Sequence, residues 1–278
     1  MKNEGGAVVL VTGATDGIGR ETALELARRG ALVLAHGRSH ERVEATCAAV
    51  RAIRPEAALE PLIVDLSRLE DVRGAGAELD QRGVRLDVLI NNAGVFMRER
   101  LLSVDGFEMS LAVNHLAPFA LTHALLRAEC GRGLTRIVNV SSVAHTRGSM
   151  DLDDLSFTRR GFDPYATYAA AKLANVLFTV ELARRLRGKD ITVNALHPGV
   201  VSTKLLTEGF GLQGRDSLAK GAATSVRLAL DEDVATTSGG YFSEGKPSPM
   251  SPVAQNASLV RQFYEVSAEM AGVAPVRE

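Results

Sequence analysis

Only two cysteines, Cys47 and Cys130, occur in the 278 residues. Two thiols so far apart make neither a disulfide framework nor a metal-ligand spacing, which points to a reduced, cytoplasmic protein. An excess of either charge sign is also missing, because Lys+Arg 32 against Asp+Glu 33 leaves a formal charge of -1. No global basic field is present to draw the chain onto a nucleic-acid backbone or an anionic lipid surface. Long apolar runs are absent too. The first, at residues 7–11, is too short for a signal-peptide core and enters a glycine-rich turn at once. The most apolar longer stretch, 111–126, is interrupted by Asn114, His115, Pro118, Thr122 and His123. It falls short of the roughly 20 predominantly apolar residues that a membrane span requires. The expectation is therefore no metal, no nucleic-acid partner and no membrane anchor.

What is present is an alternation. Apolar runs at 7–11, 31–35, 59–64, 86–90, 136–140 and 192–196, with a short one around Tyr241 and Phe242, read as strands. Amphipathic stretches at 18–29, 41–51, 70–81, 106–129 (bent by Pro118), 165–186, 217–230 and 256–271 read as helices. Strands that are apolar throughout and separated by helices mean a parallel sheet covered on both faces. No repeat or linker divides the chain. The expected fold is α/β, a single doubly wound Rossmann-type domain over residues 1–278, with a central parallel sheet flanked by helices.

Thr12-Gly13-Ala14-Thr15-Asp16-Gly17-Ile18-Gly19 leaves the first strand and opens the first helix. Glycines in that place permit a tight turn and let backbone approach a pyrophosphate, while the helix N-terminus offers free N–H groups. The spacing is neither Gly-x-Gly-x-x-Gly nor a Walker loop, and an ordinary βα turn is the alternative. The dinucleotide is chosen at the end of the second strand, Leu34-Ala35-His36-Gly37-Arg38-Ser39. A ribose diol calls for a carboxylate there, and a 2′-phosphate for a cation. Gly37 stands where the acid would be and Arg38 follows it, so NADP(H) is preferred over NAD(H) unless Arg38 is only a solvated loop residue.

Tyr168-Ala169-Ala170-Ala171-Lys172 puts a phenol and an ammonium on one helix face. A phenol of pKa about 10 is a poor base near neutrality, but a close ammonium and an oxidised nicotinamide favour its anion. Ser141 and Ser142 end the strand at 136–140 on the side where open α/β sheets bind ligands. Either hydroxyl can meet a carbonyl oxygen as its charge grows, or simply cap the strand. Asn114 needs hydrogen-bond partners inside its apolar run, as a helix-bending core group or as a water-holding link to Lys172. Tyr165 has no lysine four residues on, and His145 and His197 fit no triad order or metal cluster.

Thr12-Gly13-x-x-x-Gly17-x-Gly19, Asn91-Asn92-Ala93-Gly94, Asn114, Ser141-Ser142, Tyr168-x-x-x-Lys172 and Pro198-Gly199 together resemble the short-chain dehydrogenase/reductase family. The likeness runs in order along essentially the whole chain. Within the family it resembles the retinol-dehydrogenase-like branch, through residues 140–145 and 168–178 and through Tyr241-Phe242 leading to Ser251-Pro252. Tyr264 stands where that branch commonly has tryptophan, and its membrane-anchoring N-terminal segment is not read here.

The resemblance implies that Ser142 polarises a carbonyl, that Tyr168 is the general acid/base, that Lys172 lowers the Tyr168 pKa and binds the nicotinamide ribose, and that Asn114 holds a relay water. It implies cofactor contacts at Gly13, Thr15, Asp16, Gly17, Ile18, Gly19, Arg38, Asp65, Leu66, Asn92, Ala93, Gly94, Pro198, Gly199, Val201 and Thr203, besides Tyr168 and Lys172. Asp65 could instead cap a helix, as could Ser67. The expected activity is hydride transfer between NADP(H) and a small carbonyl or alcohol substrate of apolar or aromatic character. A catalytically silent NADP(H)-sensing binding protein is the alternative, and the complete Ser/Tyr/Lys set speaks against it. A sugar-nucleotide epimerase would need more chain after Gly199. Segments 145–163 and 204–216 are candidate substrate linings, the second a candidate lid. Family members pair through the Tyr168 helix and the long helix before it. Residues 150–163 are expected to cover that surface, leaving a monomer or weak homodimer.

Overall fold

Val8-Val9-Leu10-Val11 is buried at every position, and its side chains point alternately into two separate apolar clusters, Val8 and Leu10 into one, Val9 and Val11 into the other. That two-residue period, with both faces covered, marks the centre of a sandwiched sheet. The computed structural model describes residues 6–277. In chain order the elements are β1 (Val8–Val11), α1 (Gly17–Arg28), β2 (Leu32–Gly37), α2 (His40–Ile53), β3 (Leu62–Ile63), α3 (Leu69–Gln81), β4 (Val88–Asn91), α4 (Met109–Leu111), α5 (Ala117–Arg127), β5 (Arg136–Val140), α6 (Pro164–Arg185), β6 (Thr192–His197), α7 (Leu218–Leu230), β7 (Tyr241–Ser243), β8 (Lys246–Pro247) and α8 (Ala257–Ala271).

The eight strands form one sheet in the order β3-β2-β1-β4-β5-β6-β7-β8. All pairings are parallel except β7 with β8. Helices α1, α2 and α7 cover one face, and α3, α5, α6 and α8 the other. The chain runs outward from β1 to β3 and then returns to start β4 beside β1. This reversal opens a crevice at the carboxyl ends of the strands, where ligands of such sheets bind. A buried side-chain ladder ties the middle of the sheet to the helices above it. Asn91 Nδ2 donates to Asn139 Oδ1 at 2.9 Å, and Asn139 Nδ2 donates to Thr179 Oγ1 of α6 at 2.9 Å.

Three elements depart from the sequence expectation. The segment 59–64 runs beside β2, yet only Leu62 and Ile63 form a regular strand, because Pro61 has no N–H for a ladder. The helix expected over 106–129 is broken into α4, a π-helical turn at Ala112–Leu116, and α5. Pro118 has no N–H to return to the carbonyl of residue 114, and the chain widens so that Ala117 N donates to Ala112 O. Residues Met109–Arg127 are apolar and long enough to cross a membrane, but they are largely buried inside this fold. The third departure is β8, a strand not expected, whereas the helix expected over 256–271 is present as α8 and covers α5 and α6. His115 Nε2 meets Ser267 Oγ at 2.9 Å and His123 Nε2 meets Tyr264 Oη at 2.7 Å. It is α8, rather than residues 150–163 alone, that occupies the face expected to pair.

Candidate active site

The glycine turn is built by what its neighbours leave no room for. Gly13 and Gly17 hold φ of 65° and 52°, which side-chain-bearing residues rarely adopt. A Cβ on Gly19 would lie 2.2 Å from the Gly13 carbonyl oxygen and 2.3 Å from Asn92 Nδ2. Thr12 Oγ1 accepts from the backbone N–H groups of Asn92 and Ala93 at 2.9 and 3.0 Å, tying the turn to the end of β4. Asn92 reaches back, its Nδ2 donating to Thr12 O at 2.9 Å. Asp16 caps α1 by accepting from Gly17 N at 2.8 Å, and Arg42 and Lys204 pair with its other oxygen. Those cations hold its carboxyl below the usual range, the hydrogen bond from Lys204 being the main cause.

His36 was not singled out by sequence reasoning, yet it holds the turn from below. Gly13 N donates to its Nδ1 at 3.2 Å, so Nε2 carries the proton and donates to Val64 O at 3.1 Å. Burial pushes its pKa down to about 4 and keeps it neutral. Beyond it, Arg38 is exposed on the cleft rim, with Arg42 one helical turn away on the same rim. A Cβ on Gly37 would come within 2.6 Å of Thr15 Cγ2 and 2.7 Å of Val43 Cγ2, so no carboxylate fits there without displacing both. Asp65 and Leu66 line the same end of the cleft. Asp65 Oδ1 accepts from the N–H and the hydroxyl of Ser67. Neither residue caps α3, and Asp105 Oδ2 takes Leu69 N at 2.9 Å instead.

At the other end of the cleft the two serines separate. Ser141 is buried and donates to the Lys172 carbonyl at 2.7 Å. Ser142 lines the cleft, and its Oγ accepts from Ala144 N at 3.2 Å. Lys172 Nζ donates to Val140 O at 3.0 Å and lies 5.7 Å from the centre of the Tyr168 ring. Burial lowers the Lys172 pKa to about 8 and pushes the Tyr168 phenol up to about 12, against a lowering hydrogen bond with Ser142. The expected depression of the Tyr168 pKa by Lys172 is thus not found in this structure, where desolvation is the larger influence on both groups. Asn114 is buried in the π-helical turn. Its side chain is committed to the backbone of Val95, accepting from N at 2.7 Å and donating to O at 2.9 Å. A Cβ on Gly94 would sit 3.3 Å from Asn114 Oδ1 and 3.4 Å from Lys172 Nζ, so these three groups adjoin.

The cleft encloses about 820 Å³ and runs from Arg38 and Asp65, along Gly13, Thr15, Asp16, Gly17, Ile18 and Gly19, past Asn92, Ala93 and Gly94, to Ser142, Tyr168 and Lys172. Pro198, Gly199, Val201 and Thr203 form the facing wall, with Thr203 Cγ2 only 3.0 Å from where a Gly17 Cβ would be. Every predicted cofactor residue therefore lines this cleft. Its elongated shape and the missing Cβ atoms along its floor fit a dinucleotide. A second cavity of about 1020 Å³ lies at the amino ends of β1, β4, β5 and β6, away from this chemistry.

Above Tyr168 sits an apolar roof. The Phe210 ring centre lies 5.2 Å from that of Tyr168, Phe96 lies 5.7 Å from it, and Phe96 and Phe210 are 4.0 Å apart. Phe210 ends a π-helical turn at Leu205–Phe210 inside the expected segment 204–216. A Val201–Asp216 bridge closes the base of that segment, and Arg98 Nε donates to Gly209 O at 3.0 Å. Val95, Met97 and Leu101 are cleft residues that sequence reasoning missed, as was Phe96 packed on Tyr168, since an apolar loop after β4 carries no motif. Segment 145–163 behaves otherwise, and among the described residues none of it lines the cleft. The Asp154 carboxylate gathers the backbone N–H groups of Thr158, Arg159 and Arg160, and Arg160 stacks on Phe157, so the loop closes on itself. Among the described residues no three His, Cys, Asp or Glu side chains gather to hold a metal ion.

A doubly wound sheet, a glycine turn at its switch point and a Ser/Tyr/Lys set at the far end of one cleft define a nicotinamide-dependent oxidoreductase, and the chain belongs to the short-chain dehydrogenase family, whose model matches residues 7–210. Among its relatives is retinol dehydrogenase 13 of Homo sapiens, 40% identical over 283 residues, covering 96% of this chain and 85% of the relative. That likeness sets the chain in the retinol-dehydrogenase-like branch. A crystal structure of an uncharacterised protein from Mycobacterium paratuberculosis superposes with a TM-score of 0.81 at 33% identity, over 98% of this chain and 96% of that one. A protein from Beutenbergia cavernae described as an NAD(P)-dependent gluconate 5-dehydrogenase, solved with NADP bound at low occupancy, gives 0.69 at 30% identity over 87% and 96%.

Proposed function

We propose that this chain is an NADP(H)-dependent reductase and dehydrogenase of apolar or aromatic carbonyl and alcohol compounds, with Tyr168 as the general acid/base. The observation that carries the reading is the meeting of Ser142, Tyr168 and Lys172 at one end of a cleft whose other end is rimmed by Arg38 and Arg42. Bound NADPH or NADP supplies the hydride donor or acceptor. The chain's own residues do the remainder. The Ser142 and Tyr168 hydroxyls donate to the substrate oxygen, which stabilises the charge that grows there as the carbonyl is reduced. Tyr168 then gives its proton to that oxygen. Burial, which raises its pKa to about 12, keeps the proton in place until then. The adjacent Lys172 supplies positive charge against the forming phenolate. Asn114 holds the loop at Gly94 and Val95 against Lys172, and in this reading it anchors the water that returns the proton.

Arg38 receives the 2′-phosphate in a charge-assisted contact, Arg42 supports it, and Asp65 and Leu66 meet the adenine. The presence of NADP in the Beutenbergia protein supports this choice, as does the lack of room for an acid at Gly37. Phe96 and Phe210 exclude water from the reacting centre, which favours an apolar substrate. The whole chain acts as one domain in this reading, a monomer or weak homodimer, because its own α8 lies on α5 and α6. Its two buried thiols fit a reducing, cytoplasmic setting. The test is a panel of aldehydes and ketones incubated with NADPH, followed by the absorbance of the reduced nicotinamide and by the alcohol formed. Stoichiometric conversion of apolar members is expected. No conversion across the panel would leave a cofactor-binding protein without catalysis.

A further inference from the structure

His145 was set aside by the sequence as a loop residue, and nothing in the proposed chemistry uses it. It is fully buried, and both of its ring nitrogens are engaged. Ser251 N donates to Nε2 at 3.1 Å, which makes Nε2 the acceptor and places the proton on Nδ1. Nδ1 then donates to the carbonyl of Ser142 at 2.7 Å, and the His145 N–H donates to the same carbonyl at 3.1 Å. One residue thus grips the Ser142 main chain twice and holds the segment after β8 with its far nitrogen. The Tyr241 ring packs against the imidazole with centres 4.4 Å apart, which fixes the ring plane. On the other side the turn is pressed onto α6, where a Cβ on Gly148 would come within 2.5 Å of the Ala169 carbonyl oxygen. The serine hydroxyl that faces Tyr168 therefore sits on a short turn clamped between α6 and the C-terminal segment.

We propose that His145 is a positioning residue for Ser142, coupling the serine's main chain to the Ser251 backbone and so setting where the Ser142 hydroxyl meets the substrate oxygen. The proposal rests on the reading that Ser142 polarises the carbonyl. A shift of about 1 Å in such a group costs on the order of 100-fold in rate, so a side chain that touches no substrate can still govern kcat. The imidazole is matched to this task because it offers a donor and an acceptor at its two ends while remaining neutral. No amide side chain reaches both ends.

That difference supplies the experiment. His145→Asn keeps a donor near the Nδ1 position and loses the acceptor for Ser251. His145→Gln puts an acceptor near the Nε2 position and loses the donor to Ser142. Both are measured with NADPH and one accepted carbonyl compound, alongside Ser142→Ala and the double variant Ser142→Ala/His145→Gln. The expected result is that Gln lowers kcat by about tenfold or more with KM nearly unchanged. Asn should lower kcat as well, because it cuts the coupling to Ser251 at the other end, and Gln should cost nothing further once Ser142 is Ala. Parent-like kcat in either the Gln or the Asn variant, or an undiminished loss from Gln in the Ser142→Ala background, would overturn the proposal. Ser142→Ala with full kcat would instead sink the role of Ser142 itself, a separate failure. Should the Gln variant not fold, Ser251→Pro removes the same clamp from the other end, since Ser251 already has φ of -50°. Its kcat should fall with the Ser142 hydroxyl present and not in its absence, and an unchanged kcat counts against the proposal.

Discussion

Lowering the pH from about 7.5 to about 5.5 should remove roughly 4 kcal/mol or more of folding stability through buried histidines. Three buried histidines carry most of it, and burial lowers His145 and His197 in the same direction. His36 is pushed down to about 4, His115 to about 3 and His123 to about 4, in each case mainly by burial. Each stays neutral in the folded chain, while the unfolded chain takes up its proton near 6.5. The unfolded state then binds more protons throughout the interval between the two values, so stability is full above the unfolded pKa and falls as the pH drops below it. At about pH 5.5 each site contributes a loss of about 1.4 kcal/mol. Because all three folded values lie below 5.5, the sum depends on the unfolded pKa more than on how deep the depression is. Lys172 barely blurs the result, since with a depressed value of about 8 it is only partly neutral at the upper pH and adds a small loss of the same sign. The carboxylates held low by partners, such as Asp16 and Asp154, lose their contribution only at lower pH. Urea unfolding followed by circular dichroism at several pH values measures the loss. His123→Phe should reduce it by about 1.4 kcal/mol. A flat unfolding free energy between the two pH values would refute the account of these histidines as neutral core groups.

Three further outcomes follow from the site. Arg38→Leu should lower the preference for NADPH over NADH by about tenfold or more, the worth of one charge-assisted contact. An unmoved ratio of kcat/KM values would make Arg38 a solvated loop residue. The Gly37→Asp exchange is a poorer test, because its Cβ would strike Thr15 and Val43. Phe210→Ala should raise KM for a bulky apolar carbonyl by about 10-fold or more and for a short aldehyde much less, and equal effects on both would remove Phe210 from the substrate pocket. Light scattering should report a monomer or a weak dimer, and a concentration-independent tetramer would contradict the role given to α8.

The parts of this fold that were legible in the sequence are those governed locally. β1 is a continuous apolar run and β5 and β6 are mostly apolar ones flanked by turns, and α6 follows from the period of Leu173, Val176, Leu177 and Val180. The cofactor wall was legible because glycines needed for close approach leave a visible spacing. What was missed depends on distant partners. No local signal says that Asp105 would cap α3, that Val95 would occupy the Asn114 amide, or that Ser251 would complete His145. Residue chemistry alone did not separate Ser141 from Ser142; only the family resemblance did, and the structure shows α6 taking the Ser141 hydroxyl. The direction of the Tyr168 shift was also out of reach, because spacing reveals the Lys172 neighbour but not the desolvation that outweighs it. β8 was missed because a two-residue strand containing Pro247 carries no periodic pattern.

The central claim is that Tyr168 delivers the proton to the substrate oxygen. Tyr168→Phe keeps the ring that packs against Phe96 and Phe210 and removes only the hydroxyl. The deciding measurement is single-turnover reduction of an accepted carbonyl compound by NADPH in the parent and the variant, with cofactor affinity measured in both. The account predicts unchanged folding and NADPH binding and a turnover rate lower by about 10²–10⁴-fold. A rate within a few-fold of the parent would show that the proton comes from elsewhere.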